Sequence, residues 1–552
     1  LPVENSSNPE DFEKEGLESQ LEDLQALSVH AREVAQGMGA LIQSLQDTQS
    51  VYLKVAQNEE YLKAKIGESF DTNYRRFVIP SLDNRSALVV YLKGLVDVTE
   101  IDQFLLLPLM NSQQFPQKKE VAGKQGLISL LTDVRVSISA VKETSLWAET
   151  CDAIMAGNAV LFVDQCDAAL ILSVRKPEGR AVSEPATESE VRAPRDGFTE
   201  KIQTNTALIR SRIKDHGLRF EEFKIGERTK TTVLLGYIES LASPSILDEV
   251  RTRLKRIKVD GVLGSAYIEE LIEDSPFSVF PQIDHTERPD KASAAILEGR
   301  IVIMVDTTPF VMIVPTVFWD FLQSTGDYYD RYFTGTFFRW IRFIALFLSV
   351  SVSSFYVLTT SFHQEMLPTK LILKIAEGRV DVPFPAFVEV LIMEIVLEIV
   401  KEAGLRLPKA IGQSVTFVGS IIIGQAAISA GLAGPALIVV VAVAAICSFA
   451  IPSYGLGNAL RLLRFPLLFS TAIFGIFGYL AGLTFMVLHL LSLRSFGESF
   501  WWPLIPFDKG GMKDVFVRVP WWQMVKRPGL SHSQDATKQP AGSLKPGPPD
   551  KG

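Results

Sequence analysis

The chain has 552 residues and carries 55 Lys and Arg against 63 Asp and Glu, a formal charge of -8. It therefore lacks the basic balance of a general nucleic-acid binder, and its length calls for several domains. Apolar runs with few charges fill Phe337 to Leu493, whereas the sequence before Asp330 contains no apolar run of the ~20 residues that a membrane span requires.

In chain order, Glu10 to Ser69 is rich in Leu, Glu, Gln and Ala at helical spacing, as at Leu17, Leu21 and Leu24. Residues 1–69 read as an amphipathic helical leader, with a partly disordered tail as the equal alternative. The opening residues are acidic and helix-like, so no signal peptide is expected. Residues 70–180 form a first α/β subdomain. There "SALVVYLKGLVD" (Ser86 to Asp97) is strand-like, and "GNAVLFVDQCDAALIL" (Gly157 to Leu172) holds two apolar runs around a polar turn, the pattern of a β-hairpin.

Both patterns recur in residues 198–330. "VLLGYIESLAS" (Val233 to Ser243) aligns Tyr237 with Tyr91 and Leu241 with Leu95, and "GRIVIMVDTTPFVMIVP" (Gly299 to Pro315) aligns Gly299 with Gly157 and Asp306 with Asp164. The shared order predicts two related α/β subdomains, against the competing explanation that β-propensity alone selects such residues. Between the copies, the polar stretch Arg175 to Gly197 holds a linker, 181–197, with too few apolar residues to fold by itself. "HTERPDKASAAILEGR" predicts a helix with Thr286 as N-cap, Pro289 in the first turn and Gly299 at the end. Glu287, Arg288 and Asp290 are expected there as solvated first-turn charges, partner binding being the alternative.

Residues 331–495 read as an all-α polytopic membrane domain of four or five transmembrane helices plus an amphipathic helix. The segments are Phe337 to Phe355, the acidic run Pro383 to Pro408, Ile411 to Ala430, Pro435 to Ile451, and Pro466 to Leu493. On a helical wheel Glu394, Glu398, Lys401 and Glu402 share one side of the acidic run, opposite Ile392, Val396 and Ile399. Such a stripe suits a helix lying in the headgroup plane or one crossing the bilayer with its acids turned to protein or water; Lys401 paired with Glu398 or Glu402 as structural glue is the blander reading. In the third segment Gln413, Thr416, Ser420, Gly424, Ala427 and Gly431 fall within about 60° of one line. This face is either pore lining, with acids nearby for cation selectivity, or a tight helix interface. Basic residues flank the segments, but the positive-inside rule does not choose between four spans and five. Residues 496–527 follow as a soluble segment and 528–552 as a disordered tail.

Cys151, Cys166 and Cys447 form no CxxC pair or even framework, so free thiols in a reducing compartment are expected. The six histidines are scattered, and no HExxH, GxxxxGK[ST] or GxSxG pattern occurs. No enzyme, metal or cofactor is expected.

"TERPDKASAAILEGRIVIMVD", "DYYDRYFTGTFFRWIRF", "VPFPAFVEVLIMEIVLEIVKEAGLRLPKAIGQSV", "GSIIIGQAAISAGL", "RLLRFPLL" and "LRSFG" closely resemble the A subunit of bacterial spore germinant receptors, the GerA family. The resemblance runs from about Phe70 to Pro528. It implies a multi-pass protein of the spore inner membrane that works with a transporter-like B subunit, which recognises the nutrient, and a C-subunit lipoprotein. It further implies a homo-oligomer, proposed to be a pentamer, forming a ligand-gated channel for monovalent cations. A non-conducting scaffold coupling the receptor to a separate channel is the alternative, as is the related paralogue encoded with the SpoVA proteins. "PFPAFVEV" and "KEAGLRLPKAIGQ" look more like the receptor type.

Overall fold

The computed structural model of the chain describes residues 50–80, 82, 84–111, 141–175, 184–185, 187–188, 190–407, 419 and 422–539. The protein divides into two compact units, one running to Glu178 with Lys214–His216 and the other holding the remainder. Most of the expected leader lies outside the described residues. Its last part forms α1 (Val55–Ile66), whose Val55, Leu62 and Ile66 are buried, so this helix belongs to the first subdomain.

The first unit is built on β1 (Thr72–Ile79), β2 (Arg85–Leu92), β3 (Val141–Thr144), β4 (Ala159–Val163) and β5 (Ala169–Leu172). They form one antiparallel sheet in the order β1-β2-β4-β5-β3, with β4 and β5 paired as the hairpin that the sequence predicts. Side chains alternate across a strand. Leu88, Val90, Val160 and Phe162 therefore meet Trp147 and Ile154 of α2 (Trp147–Met155) and Leu62 of α1. Ala87, Val89, Tyr91 and Leu161 meet Ile101, Leu105 and Leu109 on the other face. Because both faces are covered, these strands read as unbroken apolar runs.

The second sheet has β6 (Leu218–Ile225), β7 (Thr231–Ile238), β8 (Asp284–Thr286), β9 (Ile301–Val305) and β10 (Val311–Val314). Its order, β6-β7-β9-β10-β8, repeats the first. The likeness extends to single hydrogen bonds. Asp164 Oδ1 accepts from the Val55 N–H (3.2 Å), where α1 begins, and Asp306 Oδ1 accepts from the Ile202 N–H (3.3 Å), where α3 (Ile202–Arg212) begins. The buried Asn58 clasps the backbone of Tyr52 from both sides (2.9 and 2.9 Å), as Asn205 clasps that of Thr199 (2.8 and 2.7 Å). Gly157 and Gly299 take φ of 86° and 85°, a left-handed conformation that favours glycine. A Cβ on either would press on Leu95 or Leu241 respectively, the residues that the sequence repeat also aligns.

α4 (Pro244–Arg256) and α5 (Ser265–Ile272) cover one face of the second sheet, and α6 (Pro289–Leu297) lies on it beside α3. Two expectations need correction here. Thr286 is a strand residue and not the N-cap of α6, for its hydroxyl donates to Glu188 Oε2 at 2.6 Å. Glu287 and Arg288 are buried instead of solvated. The linker covers them: the Glu188 and Pro194 carbonyls accept from Arg288 (3.1 and 3.3 Å), and the Phe198 N–H donates to the Glu287 carbonyl at 2.7 Å. The described part of this linker is thus stapled by charge-assisted hydrogen bonds, which a count of apolar residues overlooks.

Among the described residues six longer helices follow: α7 (Tyr332–Ser361), α8 (Thr369–Glu377), α9 (Ala386–Arg406), α10 (Pro435–Phe449), α11 (Tyr454–Phe474) and α12 (Ile476–Ser492), with residues 422–429 also helical. Among the described residues only α7, at 30 residues, is long and apolar enough to cross a membrane by both criteria; α10 and α12 are apolar but shorter. The single fifth segment is in fact two helices that turn at Gly475. α11 starts twelve residues before Pro466, at a Ser453 N-cap, because its arginines are partnered inside the protein and do not end the helix as they end an apolar run.

The segment after α12 is not an independent tail. Phe500 is buried beside Phe318 and Phe321, and the Ser495 hydroxyl joins the Thr316 N–H (3.1 Å) to the Gln282 carbonyl (2.9 Å). Within the region expected to be disordered, Leu530 and Ser531 are buried, with Ser531 donating to the Glu298 carbonyl at 2.6 Å.

Candidate functional site

The acidic helix α9 locates the site. Glu394 is buried, and an ionised carboxylate there is tolerable only with a partner and full hydrogen bonding. Both are present. Arg464 of α11 donates Nη1 to Glu394 Oε2, and the Ser353 hydroxyl of α7 donates to Oε1 at 2.6 Å. The same guanidinium donates Nε to the Ser349 carbonyl (2.8 Å) and Nη2 to the Ala444 carbonyl of α10 (3.3 Å). One arginine thereby ties together α7, α9, α10 and α11.

Glu389, one turn earlier, is likewise buried. Its Oε1 accepts from Arg379 Nε and Nη2 (2.9 and 2.7 Å), and its Oε2 accepts from the Gly434 N–H at the start of α10 (3.3 Å). Further along, Glu398 lies 3.7 Å from Arg461, and the exposed Glu402 pairs with Arg406 at 2.7 Å. Lys401 pairs with neither acid as expected; its ammonium sits 4.6 Å over the Phe449 ring. The glue is therefore arginine supplied from α11 and from the segment before α9, and it holds Glu389 and Glu394 inward, while Glu398 and Glu402 are exposed, as are Ile392, Ile395 and Ile399.

Of the small-residue face, Gln413, Thr416 and Ser420 lie outside the described residues. Gly424 and Ala427 are buried; Ala427 packs with Met393, Leu437 and Val441, and a Cβ on Gly424 would touch Ile438 at 3.6 Å. These two residues make helix contacts within the single chain.

A second charged junction was not foreseen. The buried Asp327 accepts from Arg339 Nε (3.1 Å) and from Arg342 Nη1 and Nη2 (2.7 and 2.9 Å) at the head of α7. Arg339 Nη1 also reaches Asp514 Oδ1 at 2.8 Å, whose Oδ2 accepts from the Tyr328 hydroxyl at 2.6 Å. Burial and the Asp514 carboxylate push the Tyr328 phenol well above its ordinary range. Arg339 and Arg342 are the pins that fasten α7 to the second sheet's trailing segment. The signal was in the run "DYYDRYFTGTFFRWIRF", where Asp327 precedes two arginines spaced i, i+3 on one helix face.

The chain matches the model of the Bacillus/Clostridium GerA spore germination protein over residues 60–530. It belongs to the GerA family. Spore germination protein KA of Bacillus subtilis (strain 168) is 41% identical to this GerA chain over 485 residues, 88% of each chain. The uncharacterized membrane protein YfkQ of the same strain is 41% identical over 492 residues, 89% of this chain and 94% of its own length. Among solved structures, the N-terminal domain of the A subunit of the Bacillus megaterium spore germinant receptor GerK3 aligns with a TM-score of 0.40 at 35% identity, covering 49% of this GerA chain and 98% of that domain.

Proposed function

We propose that this GerA chain is a subunit of a spore germinant receptor that oligomerises in the spore inner membrane into a nutrient-gated channel releasing monovalent cations. One observation carries the reading, the inverted polarity of the helical region. Ser349, Ser353, Glu389, Glu394, Arg464 and Thr471 are buried, while Ile344, Phe347, Val439, Ile446, Phe477 and Phe485 face outward, the arrangement that helices solvated by lipid require. In this reading the chain passes the bilayer four or five times. Gln413, Thr416, Ser420, Gly424 and Ala427 border the conduit, with Glu394, Glu398 and Glu402 on the neighbouring helix. A transporter-like B subunit supplies nutrient recognition, a C-subunit lipoprotein completes the receptor, and a pentamer of this chain closes the pore.

The test is potassium flux from liposomes holding the purified, correctly assembled oligomer. Flux is expected, with Ser420→Lys or Gly424→Leu changing it severalfold. Unaltered flux in both variants sinks the pore assignment. A second reading, a non-conducting scaffold, is favoured by the helix contacts of Gly424 and Ala427 and by the Asp327–Arg339–Asp514 junction, which suits transmission of force from the sheet to α7. It expects silence from the same liposomes.

A further inference from the structure

A cavity of about 210 Å³ lies between the second sheet's outgoing chain and the segment after α12. Three carboxylates line it, and each is already neutralised from within. Asp320 holds Arg300 through two hydrogen bonds (2.6 and 3.2 Å), Glu298 holds Lys538 at 3.3 Å, and Asp514 holds Arg339 at 2.8 Å. Two other lining residues, Lys513 and Lys526, have no carboxylate within ion-pair distance among the described residues. The charge left over is therefore positive. The donor balance tilts the same way, since the lining residues Arg300 and Trp319 are buried and their Nε and Nε1 atoms find no acceptor. The remaining wall is apolar and aromatic, with Val317, Val515, Val519 and Trp502.

We propose that this cavity is a binding site for a small organic monocarboxylate with an apolar body. The lysines at the rim select the carboxylate and the tryptophan–valine wall receives the body, a few polar anchors on an apolar surface being the usual composition of small-molecule sites. A dianion such as inorganic phosphate is disfavoured, because the carboxylates of Asp320, Asp514 and Glu298 remain close by and repel a second negative charge. A neutral analogue leaves the lysine charge unanswered. The volume suits a metabolite and not a drug-sized ligand. Occupancy would add contacts between residues 317–328 and residues 502–538, the two chain segments that meet at Asp514 and the head of α7. The assignment holds whether or not the chain conducts ions.

The test uses the full-length chain in phosphatidylcholine nanodiscs, with tryptophan fluorescence as the readout and benzoate, benzamide and inorganic phosphate as probes. Benzoate is expected to give a saturable change, with benzamide and phosphate at least about tenfold weaker, a difference of about 1.4 kcal/mol. The double variant Lys513→Gln/Lys526→Gln is expected to weaken benzoate about tenfold while leaving the melting temperature unchanged, both side chains being exposed. Equal binding of benzamide and benzoate, no saturable change with millimolar benzoate, or unaltered benzoate affinity in the double variant overturns the proposal.

Discussion

Glu394 and Arg464 are each buried with the other as sole ionic partner among the described residues, so removing one charge strands its mate. Glu394→Gln keeps an acceptor for Ser353 but leaves a buried guanidinium uncompensated, a loss of about 3–5 kcal/mol. Thermal unfolding in lipid should record it. Pairing the change with Arg464→Met should recover most of the loss, because apolar replacement of both partners of a buried pair is often close to neutral. Glu402→Gln on the same helix is a control. Its exposed pair with Arg406 should contribute less than about 1 kcal/mol, and a loss equal to that at Glu394 would refute the distinction. At the C-cap of α5, burial and then repulsion from Glu269 lift the Glu273 carboxyl to about 7, while His285 is held by Glu269 at 2.7 Å. A carboxyl raised in the folded state binds a proton that the unfolded chain has released, so Glu273 makes stability fall as pH climbs from about 4.5 to about 7. Glu273→Gln should flatten that slope, gaining about 1 kcal/mol at pH 8 after allowance for its residual contact with water. A wild-type slope across this interval contradicts the assignment.

At the scale of elements, the doubled sheet predicts matched behaviour at equivalent positions. Gly157→Ala and Gly299→Ala each force a left-handed φ on a Cβ-bearing residue, at about 1–3 kcal/mol. The second should cost more, because its Cβ would come within 2.9 Å of the Leu241 carbonyl oxygen, against 3.2 Å from the Leu95 side chain in the first. Chemical denaturation of the two variants orders them; a loss at only one site would argue against equivalence, and the reverse order against the ranking by contact. The repeat was legible because Gly157, Gly299, Asp164 and Asp306 do local work that few other residues can do. The clasping pair Asn58 and Asn205 escaped notice, for each lies in an ordinary polar helix and clasps backbone six residues earlier, just outside that helix, a contact that no helical periodicity reveals. The acidic helix was legible as a face. Its partner was not, since Arg464 lies 70 positions further on, in a stretch excluded from the apolar run by that same charge. The helix α6 was placed nearly to its ends, yet the burial of Arg288 was missed because its acceptors come from a linker whose composition looks unstructured.

Over the whole second unit, the segment after α12 is the fastener between sheet and helices. Asp514 receives Tyr328 and Arg339, while Gln534 reaches the Ala242 carbonyl at 2.9 Å and Arg527 the Leu297 carbonyl at 3.0 Å. Asp514→Ala removes a carboxylate from two partners at once and should lower stability by about 2–4 kcal/mol. It should also speed proteolysis beyond Phe500; unchanged cleavage would show that the segment is held by its apolar contacts alone. Composition hid this role, because a proline- and glycine-rich stretch that packs by backbone hydrogen bonds resembles one that does not pack.

The four-helix junction at Arg464 also bears on biogenesis. A ribosome delivers α9 long before α11, so during synthesis the carboxylate of Glu394 emerges without its counter-ion. In the multi-pass arrangement proposed above, insertion of the acidic helix waits, sheltered by water, by the translocation machinery or by a neighbouring subunit, until the later arginine arrives to neutralise it. Nascent chains halted before Tyr454 should accordingly leave α9 accessible to water-soluble labels, whereas chains halted after Ser492 should protect it.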